Sequence, residues 1–193
     1  IRQLGMANGK ENYLFKPKDA YRMGGGSRSG SKTAGTNHPS GVMTYFYVKD
    51  PEEMEIRLSY MNMKGDTIKT FSNKDKKNKL KVKEGSNFHS WNLRGEGAER
   101  LEGMILWWAS TNAPKAVPGQ YQVVLEVGDE SVTQPFTVLA DKNAETDLAG
   151  MQRQFDFITD VNSTVDKAHK SIKKIRDINK QLKAFQKQYK DNE

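Results

Sequence analysis

Short apolar segments separated by turn residues run through the middle of the chain, residues 41–144. Residues 42–48 are aromatic and β-branched and lie between Gly41 and Asp50-Pro51, which is typical of a strand. Residues 54–60 alternate strictly between apolar and polar side chains, so one face of that strand is expected to be buried. About seven such segments, without helical periods between them, indicate an antiparallel β-sandwich. The predicted strands are residues 42–48, 54–60, 67–71, 87–93, 104–109, 120–127 and 131–139.

From about Asp147 the apolar residues follow a helical period instead, and residues 145–193 are predicted to form one long amphipathic helix. A helix of about 40 residues would be about 60 Å long. It would outreach a sandwich of about 100 residues, which has a radius of about 13 Å. We therefore expect its apolar seam to be buried against something beyond the sandwich. The predicted helix interface is Leu148, Met151, Phe155, Ile158, Asn162, Val165, Ile172, Ile175, Asn179, Leu182 and Phe185, with Ala168 and Tyr189 in the same pattern. The two asparagines would fix the register of the pairing.

The first 40 residues show no sustained period and are predicted to hold a docking segment and a linker. Residues 13–22 have enough apolar surface to dock, although Pro17 argues against a central strand. Residues 24–31 are rich in glycine and serine, which indicates a flexible linker. Residues 25–33 approach a phosphate-binding loop in sequence. Ser31 breaks the required spacing, however, and no strand precedes the segment.

Composition and charge exclude several classes of function. The chain has no cysteine, which excludes disulfide scaffolds, thiolate zinc sites and thiol nucleophiles. No apolar run approaches the roughly 18 residues that a membrane span needs. The net charge is +7, of which residues 1–40 contribute +5 (7 basic and 2 acidic residues). The Lys-rich residues 74–83 include Asp75 and lack the aromatic–basic pattern of a nucleic-acid reader, so we expect a solvated surface and no nucleic-acid partner.

Candidate catalytic groups are scattered along the chain. His38, His89 and His169 fall in a predicted loop, strand and helix, without metal-ligand spacing, and His169 lies beside the helix seam, where we expect it to be solvated. The carboxylate pairs Glu52/Glu53 and Glu96/Glu99 lie at turns, where nothing suggests a raised pKa. We expect no catalytic residue, no metal and no cofactor.

The three tryptophans have two interpretations. Trp91 lies on an alternating strand and is expected in the core, as is usual for a sandwich. Trp107 and Trp108 are adjacent, so in a strand they would point to opposite faces and one would be exposed. An exposed aromatic side chain could stack on a sugar ring, which makes Trp107 and Trp108 the candidate ligand contacts.

Several short motifs follow one another from Leu14 onwards. They are residues 14–22, residues 35–41 leading into the strand with Tyr45, residues 91–94 and 118–121, residues 133–138 with Asp141, and Asp147-Leu148 with Gln152 and Phe155. In this order they resemble the C-terminal region of exported bacterial proteins that carry sortilin-like, BNR-repeat β-propellers and are often labelled glycosyl hydrolases. In those proteins the segment leads into an Ig-like domain, similar to that of flagellar hook-capping proteins, and then into a helix.

The resemblance implies an Ig-like β-sandwich, export to the periplasm, cell surface or medium, and a parent propeller domain that would hold any catalytic site. We therefore expect a non-catalytic accessory or interaction module. Its helix would pair, most simply as a homodimeric coiled coil. A carbohydrate-binding module that uses Trp107 or Trp108 is the alternative. A glycoside hydrolase, the third hypothesis, would need two facing carboxylates about 5–10 Å apart.

Overall fold

The chain is mainly β with one long C-terminal helix, as the sequence predicts. The computed structural model describes residues 3, 5, 9–23, 33, 40–52 and 54–190. Its elements are β1 (Asn12–Leu14), β2 (Ala20–Arg22), β3 (Val42–Val48), β4 (Ile56–Asn62), β5 (Thr67–Ser72), β6 (Gly85–Trp91), β7 (Gly119–Val127), β8 (Glu130–Ala140) and α1 (Leu148–Lys190). The glycine- and serine-rich residues 24–31, predicted to be a linker, lie outside the described residues, as does His38.

The strands form two sheets. The smaller sheet has the order β1-β3-β6 and is antiparallel throughout. The larger sheet has the order β2-β8-β7-β4-β5, in which only the β2–β8 pair is parallel. The hairpin between β7 and β8 turns at Gly128, whose φ of 56° lies in the left-handed region. Alternating burial along β3 shows that one face of the smaller sheet is turned to the core.

Both sheets contribute to one hydrophobic core, and Trp91 lies where they meet. Its ring, from β6, stacks on Tyr60 of β4 with a centroid separation of 4.5 Å, and Phe136 of β8 packs edge-on at 6.4 Å. The hydroxyl groups of Thr44 and Tyr60 form a buried hydrogen bond of 2.8 Å between the sheets. The prediction that Trp91 belongs to the core is confirmed, because its side chain is fully buried.

The N-terminal segment adds one short edge strand to each sheet. Strand β1 pairs with β3, and β2 pairs with β8. Pro17 lies between the two strands, where the absence of its N–H group costs no ladder hydrogen bond. The Asp19 side chain accepts a hydrogen bond of 3.1 Å from the Thr137 backbone N–H.

One predicted strand is wrong. Residues 104–109 belong to an irregular connection, residues 92–118, which we call the long loop. A short apolar run does not by itself distinguish a strand from other structure, and within the described residues this run pairs with neither sheet. The strand before the loop also ends earlier than predicted, at Trp91, because Leu93 adopts a φ of 66°, which strands do not accommodate.

Candidate functional site: the long helix and the long loop

The first half of α1, residues 148–169, packs against the β-rich part of the chain, and we call it the docked half. The helix begins after Asp147, whose side chain accepts a hydrogen bond of 2.7 Å from the Gly150 N–H and so caps the first turn. The side chains turned towards the rest of the molecule recur in steps of three and four. They are Met151, Phe155, Ile158, Asn162 and Val165, with Met151 only 2% exposed. This part of the predicted seam is therefore covered by the chain itself.

Helix side chains satisfy backbone groups of the long loop. Asp166 accepts a hydrogen bond of 2.9 Å from the Glu99 N–H, and the His169 ring contacts the Glu99 carbonyl through Nδ1. Asn162 donates to the Asn112 carbonyl at 3.0 Å. A loop that runs over a surface has backbone N–H and C=O groups that pair with no neighbouring strand. The side chains of α1 provide hydrogen-bond partners for three of these groups. The helix is thus one of the elements that hold the long loop in place; another is β5, whose Lys69 pairs with Glu96 of the loop.

The prediction that His169 is solvated is wrong, because its side chain is only 5% exposed. The sequence pattern placed Ala168 on the seam, three residues after Val165. An α-helix has about 3.6 residues per turn, so the buried face drifts from a seven-residue repeat, and here the next position turned inwards is His169. The ring is tolerated there because Nδ1 reaches the Glu99 carbonyl.

Charged side chains mark the end of the docked half. Lys173 pairs with the Glu99 carboxylate, and Lys170 pairs with Asp166 at 2.7 Å. The hydrogen bond from Lys173 lowers the pKa of Glu99, and the one from Lys170 lowers the pKa of Asp166. The contact of Arg176 with the Glu102 carbonyl, at 3.4 Å, lies furthest along the helix of those described with the long loop.

Beyond His169 every described side chain of the helix is exposed, from Lys170 to Tyr189, and we call this segment the exposed half. It holds the remaining residues of the predicted interface, Ile172, Ile175, Asn179, Leu182 and Phe185. The predicted seam therefore consists of two parts with different surroundings: one covers the β-rich part of the chain and the other faces solvent. Leu148, the first residue of the predicted interface, is also exposed.

Most of the apolar side chains of α1 that face solvent lie in one line along the helix, which we call the exposed stripe. The stripe is not confined to the exposed half, because Phe157 and Val161 on the docked half also face solvent. Its members recur in steps of three and four, apart from one step of seven between Val161 and Ala168, and they lie on a different face from the docked side chains. The exposed stripe is Phe157, Val161, Ala168, Ile172, Ile175, Ile178, Leu182, Phe185 and Tyr189.

The long loop carries a second apolar surface, residues 104–109, which we call the aromatic tip. Trp107 is 85% exposed and Trp108 is 98% exposed, and Ile105 is exposed beside them. We expected one tryptophan to be exposed and the other covered, but both face solvent. The expectation assumed a strand, in which neighbours point to opposite faces, and the irregular loop imposes no such alternation.

The candidate carboxylates Glu96 and Glu99 are each paired with lysine side chains. Partial burial favours a raised pKa for Glu96, but hydrogen bonds from Lys69, Lys77 and Asn78 outweigh it and lower the pKa. A general acid requires the opposite direction, and the pKa of Glu99 is lowered as well. Glu52 is exposed, and Glu53 lies outside the described residues.

His89 is a packing residue. Its ring packs beside Phe71, at a centroid distance of 4.2 Å, and near Tyr60, at 6.4 Å. Burial lowers its pKa, and its Nε2 atom has no hydrogen-bond partner within the described residues. Among those residues there is also no group of histidine and carboxylate side chains that could hold a metal ion.

One exposed aromatic pair was missed by the sequence interpretation. Tyr45 of β3 and Phe88 of β6 stand opposite each other in the smaller sheet, with ring centroids 4.9 Å apart, and both are about half exposed. Each residue lies at an outward position of its strand, so the alternation of buried and exposed positions could have indicated from the sequence that both side chains face away from the core. Their proximity depends on the pairing of β3 with β6, which lie far apart in the sequence.

None of the described helices is long and apolar enough to cross a membrane. We compared the chain with protein-family models, with curated proteins and with solved structures, and none of them matches. The Ig-like assignment, the relationship to propeller proteins and export therefore stay predictions.

Proposed function

We propose that this chain is a non-catalytic interaction module that associates through its C-terminal helix, with itself or with another apolar surface. The observation that supports this is the exposed stripe. Six of its large apolar side chains lie on the exposed half, and all are at least 38% exposed. Contiguous apolar surface of this kind is unusual on a soluble monomer and marks interaction sites.

The stability of helices gives a second argument. The exposed half makes few contacts with the long loop, and none of its described side chains is buried. The exposed half continues a helix that the docked half has already nucleated, but propagation gains little per residue in water, and most helix stability in proteins comes from packing. An apolar partner along the stripe would supply the burial that the segment lacks.

Light scattering tests the association. At roughly tens of micromolar, we expect the protein to have a mass well above the 21.9 kDa of one chain. Ile175→Gln combined with Leu182→Gln should return it to one chain, since glutamine keeps the helix propensity but not the apolar stripe. The matched control, Lys180→Gln with Lys187→Gln, changes exposed residues off the stripe and should still associate. A wild-type mass of one chain would contradict self-association.

A carbohydrate-binding function is the second candidate, and the exposure of both Trp107 and Trp108 favours it. Aromatic rings that face solvent offer flat apolar faces, and a sugar ring has an apolar face that can stack on them. In a screen of immobilised glycans, Trp107→Ala and Trp108→Ala should each abolish retention. Phe88→Ala is the control, because it removes an aromatic ring from the separate Tyr45–Phe88 surface. A blank screen for the wild type would exclude this candidate.

The wider context is also a proposal. The resemblance described above supports placing the module in the C-terminal part of an exported propeller protein, where it would space or tether the propeller. The intact mass of the protein from its native source tests this. A mass several times 21.9 kDa would agree with the proposal, and a mass near 21.9 kDa would overturn it.

A further inference from the structure

We infer that the occupant of the exposed stripe is a second copy of this chain, with the two helices antiparallel and crossing near Lys173. The inference rests on the proposed function and adds the partner, the direction and the register. It follows from the order of side chains along the stripe, from the distribution of charge and from the position of the docked face.

All residues of the exposed stripe except Ile172 fit a seven-residue repeat, which Thr164 and Ser171 complete; the repeat runs from residue 157 to residue 189, which is more than four heptads. Its core positions include small side chains, Thr164, Ala168 and Ser171, as well as large ones. All ten core positions are exposed in the structure, although the first four lie on the docked half. They are Phe157, Val161, Thr164, Ala168, Ser171, Ile175, Ile178, Leu182, Phe185 and Tyr189.

The small side chains all lie in the first half of this series, and the second half has only large ones. In a parallel pair each core residue meets its own copy, so Ala168 would face Ala168 and Ser171 would face Ser171. Such layers would bury little apolar surface and would leave gaps. An antiparallel pair instead brings the first half of one helix against the second half of the other.

One antiparallel register places every small residue opposite a large one. In this register the Lys173 positions of the two helices lie side by side. A core residue a given number of positions before residue 173 then faces the residue of the second copy that lies the same number of positions after it. The resulting layers are Phe157 with Tyr189, Val161 with Phe185, Thr164 with Leu182, Ala168 with Ile178, and Ser171 with Ile175, each formed twice. Ile172, which lies beside the core positions, then meets its own copy at the centre.

Charge favours the same direction. Residues 170–189 contain seven basic residues and one acidic residue, a net charge of +6, whereas residues 148–166 contain one basic and three acidic residues, a net charge of −2. A parallel pair would align the two basic segments along their whole length. The antiparallel register instead brings the segment that holds Asp160 and Asp166 beside the segment that holds Lys180, Lys183 and Lys187 of the second copy. The antiparallel helix dipoles add a small favourable term.

The docked face leaves room for the second helix. The side chains that pack on the β-rich part of the chain, such as Met151 and Asn162, lie on another face of α1 from Phe157 and Val161. The exposed stripe is therefore open at both ends of the proposed register, and pairing does not require the docked half to detach.

Distances between spin labels test the direction and the register. The chain has no cysteine, so Lys174→Cys, Lys180→Cys and Lys187→Cys each introduce a single label site off the apolar core. In the antiparallel register, the axial separation between the two copies of a label grows from close to zero at residue 174 to about 20 Å at residue 180 and about 40 Å at residue 187. In a parallel pair the axial separation would be zero at all three sites, so residues 180 and 187, which share a position of the repeat, would give equal distances.

The possible results separate this inference from the proposed function. We expect the distance between the two labels to increase from residue 174 to residue 187. In the background of Ile175→Gln with Leu182→Gln, no distance between labels should be measurable, because the two chains separate. Equal distances at residues 180 and 187, with a scattering mass above one chain, would overturn the antiparallel register and leave self-association standing. No distance between labels, with a mass of 21.9 kDa, would overturn both.

Discussion

Trp91 joins the two sheets through contacts that no other tryptophan of this chain makes. Its ring stacks on Tyr60 and its Nε1–H donates a hydrogen bond of 2.8 Å to the Arg94 carbonyl. Trp107 and Trp108 have the same side chain but face solvent. The energetic importance of each tryptophan therefore follows from its surroundings and not from its type.

Replacement of Trp91 with alanine should lower the free energy of unfolding by about 3–5 kcal/mol, because it leaves a large cavity between the sheets. Urea denaturation followed by circular dichroism measures the loss. Trp108→Ala removes the same side chain from an exposed position, and its effect should stay within about 0.5 kcal/mol. Equal losses for the two variants would contradict the placement of Trp91 in the core.

His89 should make the stability of the protein depend on pH. Burial lowers its folded-state pKa below the ordinary value of 6.5, so the unfolded chain takes up a proton that the folded chain resists. Stability should therefore fall as the pH decreases through 6.5 towards the lowered pKa. His89→Phe, which keeps an aromatic ring beside Phe71, should remove this part of the pH dependence. Parallel stability–pH curves for wild type and variant would refute the assignment.

At the scale of elements, the two halves of α1 differ in their contacts. The docked half supplies hydrogen bonds to the backbone of the long loop, and the exposed half continues beyond it. The long loop has no ladder partners in residues 101–110, and the helix contacts the backbone on both sides of this stretch, at Glu99 and Asn112. Helix docking and loop order should therefore be lost together.

Asp166→Ala tests this coupling, because it removes the acceptor for the Glu99 N–H and the partner of Lys170. Amide hydrogen exchange should become several-fold faster both in residues 148–169 and around Glu99, while β3, β4 and β7 keep their protection. Asp160→Ala makes the same change at an exposed position of the same helix and should leave the exchange unaltered. Faster exchange in the helix alone would show that the loop is held by other contacts.

At the scale of the whole molecule, the exposed stripe is apolar surface that the chain leaves uncovered. The segment around it is also strongly basic, with a net charge of +6 over residues 170–189. Mutual repulsion of the lysines and the absence of packing both weaken a lone helix. Pairing in the antiparallel sense would supply the packing and would place Lys180, Lys183 and Lys187 beside the segment of the second copy that holds Asp160 and Asp166.

The helix content should therefore depend on protein concentration. The mean residue ellipticity at the helix minimum should become more negative from low to high micromolar concentration, because pairing orders the exposed half. Over the same range, tryptic cleavage after Lys180 and Lys183 should become slower. Ile175→Gln with Leu182→Gln should show neither change. A constant ellipticity for the wild type would contradict association through the stripe.

Local patterns were sufficient for most of the elements. Six of the predicted strands and the long helix are present, because alternation and helical period report directly on which side chains face the core. The prediction of a strand over residues 104–109 was wrong because an apolar run becomes a strand only where it can pair with the edge of a sheet. The sequence does not show which sheet edges are free. The prediction that His169 is solvated was wrong because the helix residues that are buried depend on how the helix lies against the long loop.

The sequence by itself determined that the chain has a β-rich part followed by a helix, and that the helix carries more apolar surface than such a part covers. Both follow from the period and length of apolar segments, which are local properties. Only the tertiary structure decided which apolar residues are already covered, that Trp107 and Trp108 are both exposed, and that Tyr45 meets Phe88. These outcomes depend on contacts between residues that are distant in sequence, and each contact forms only once the sheets, the long loop and the helix are in place.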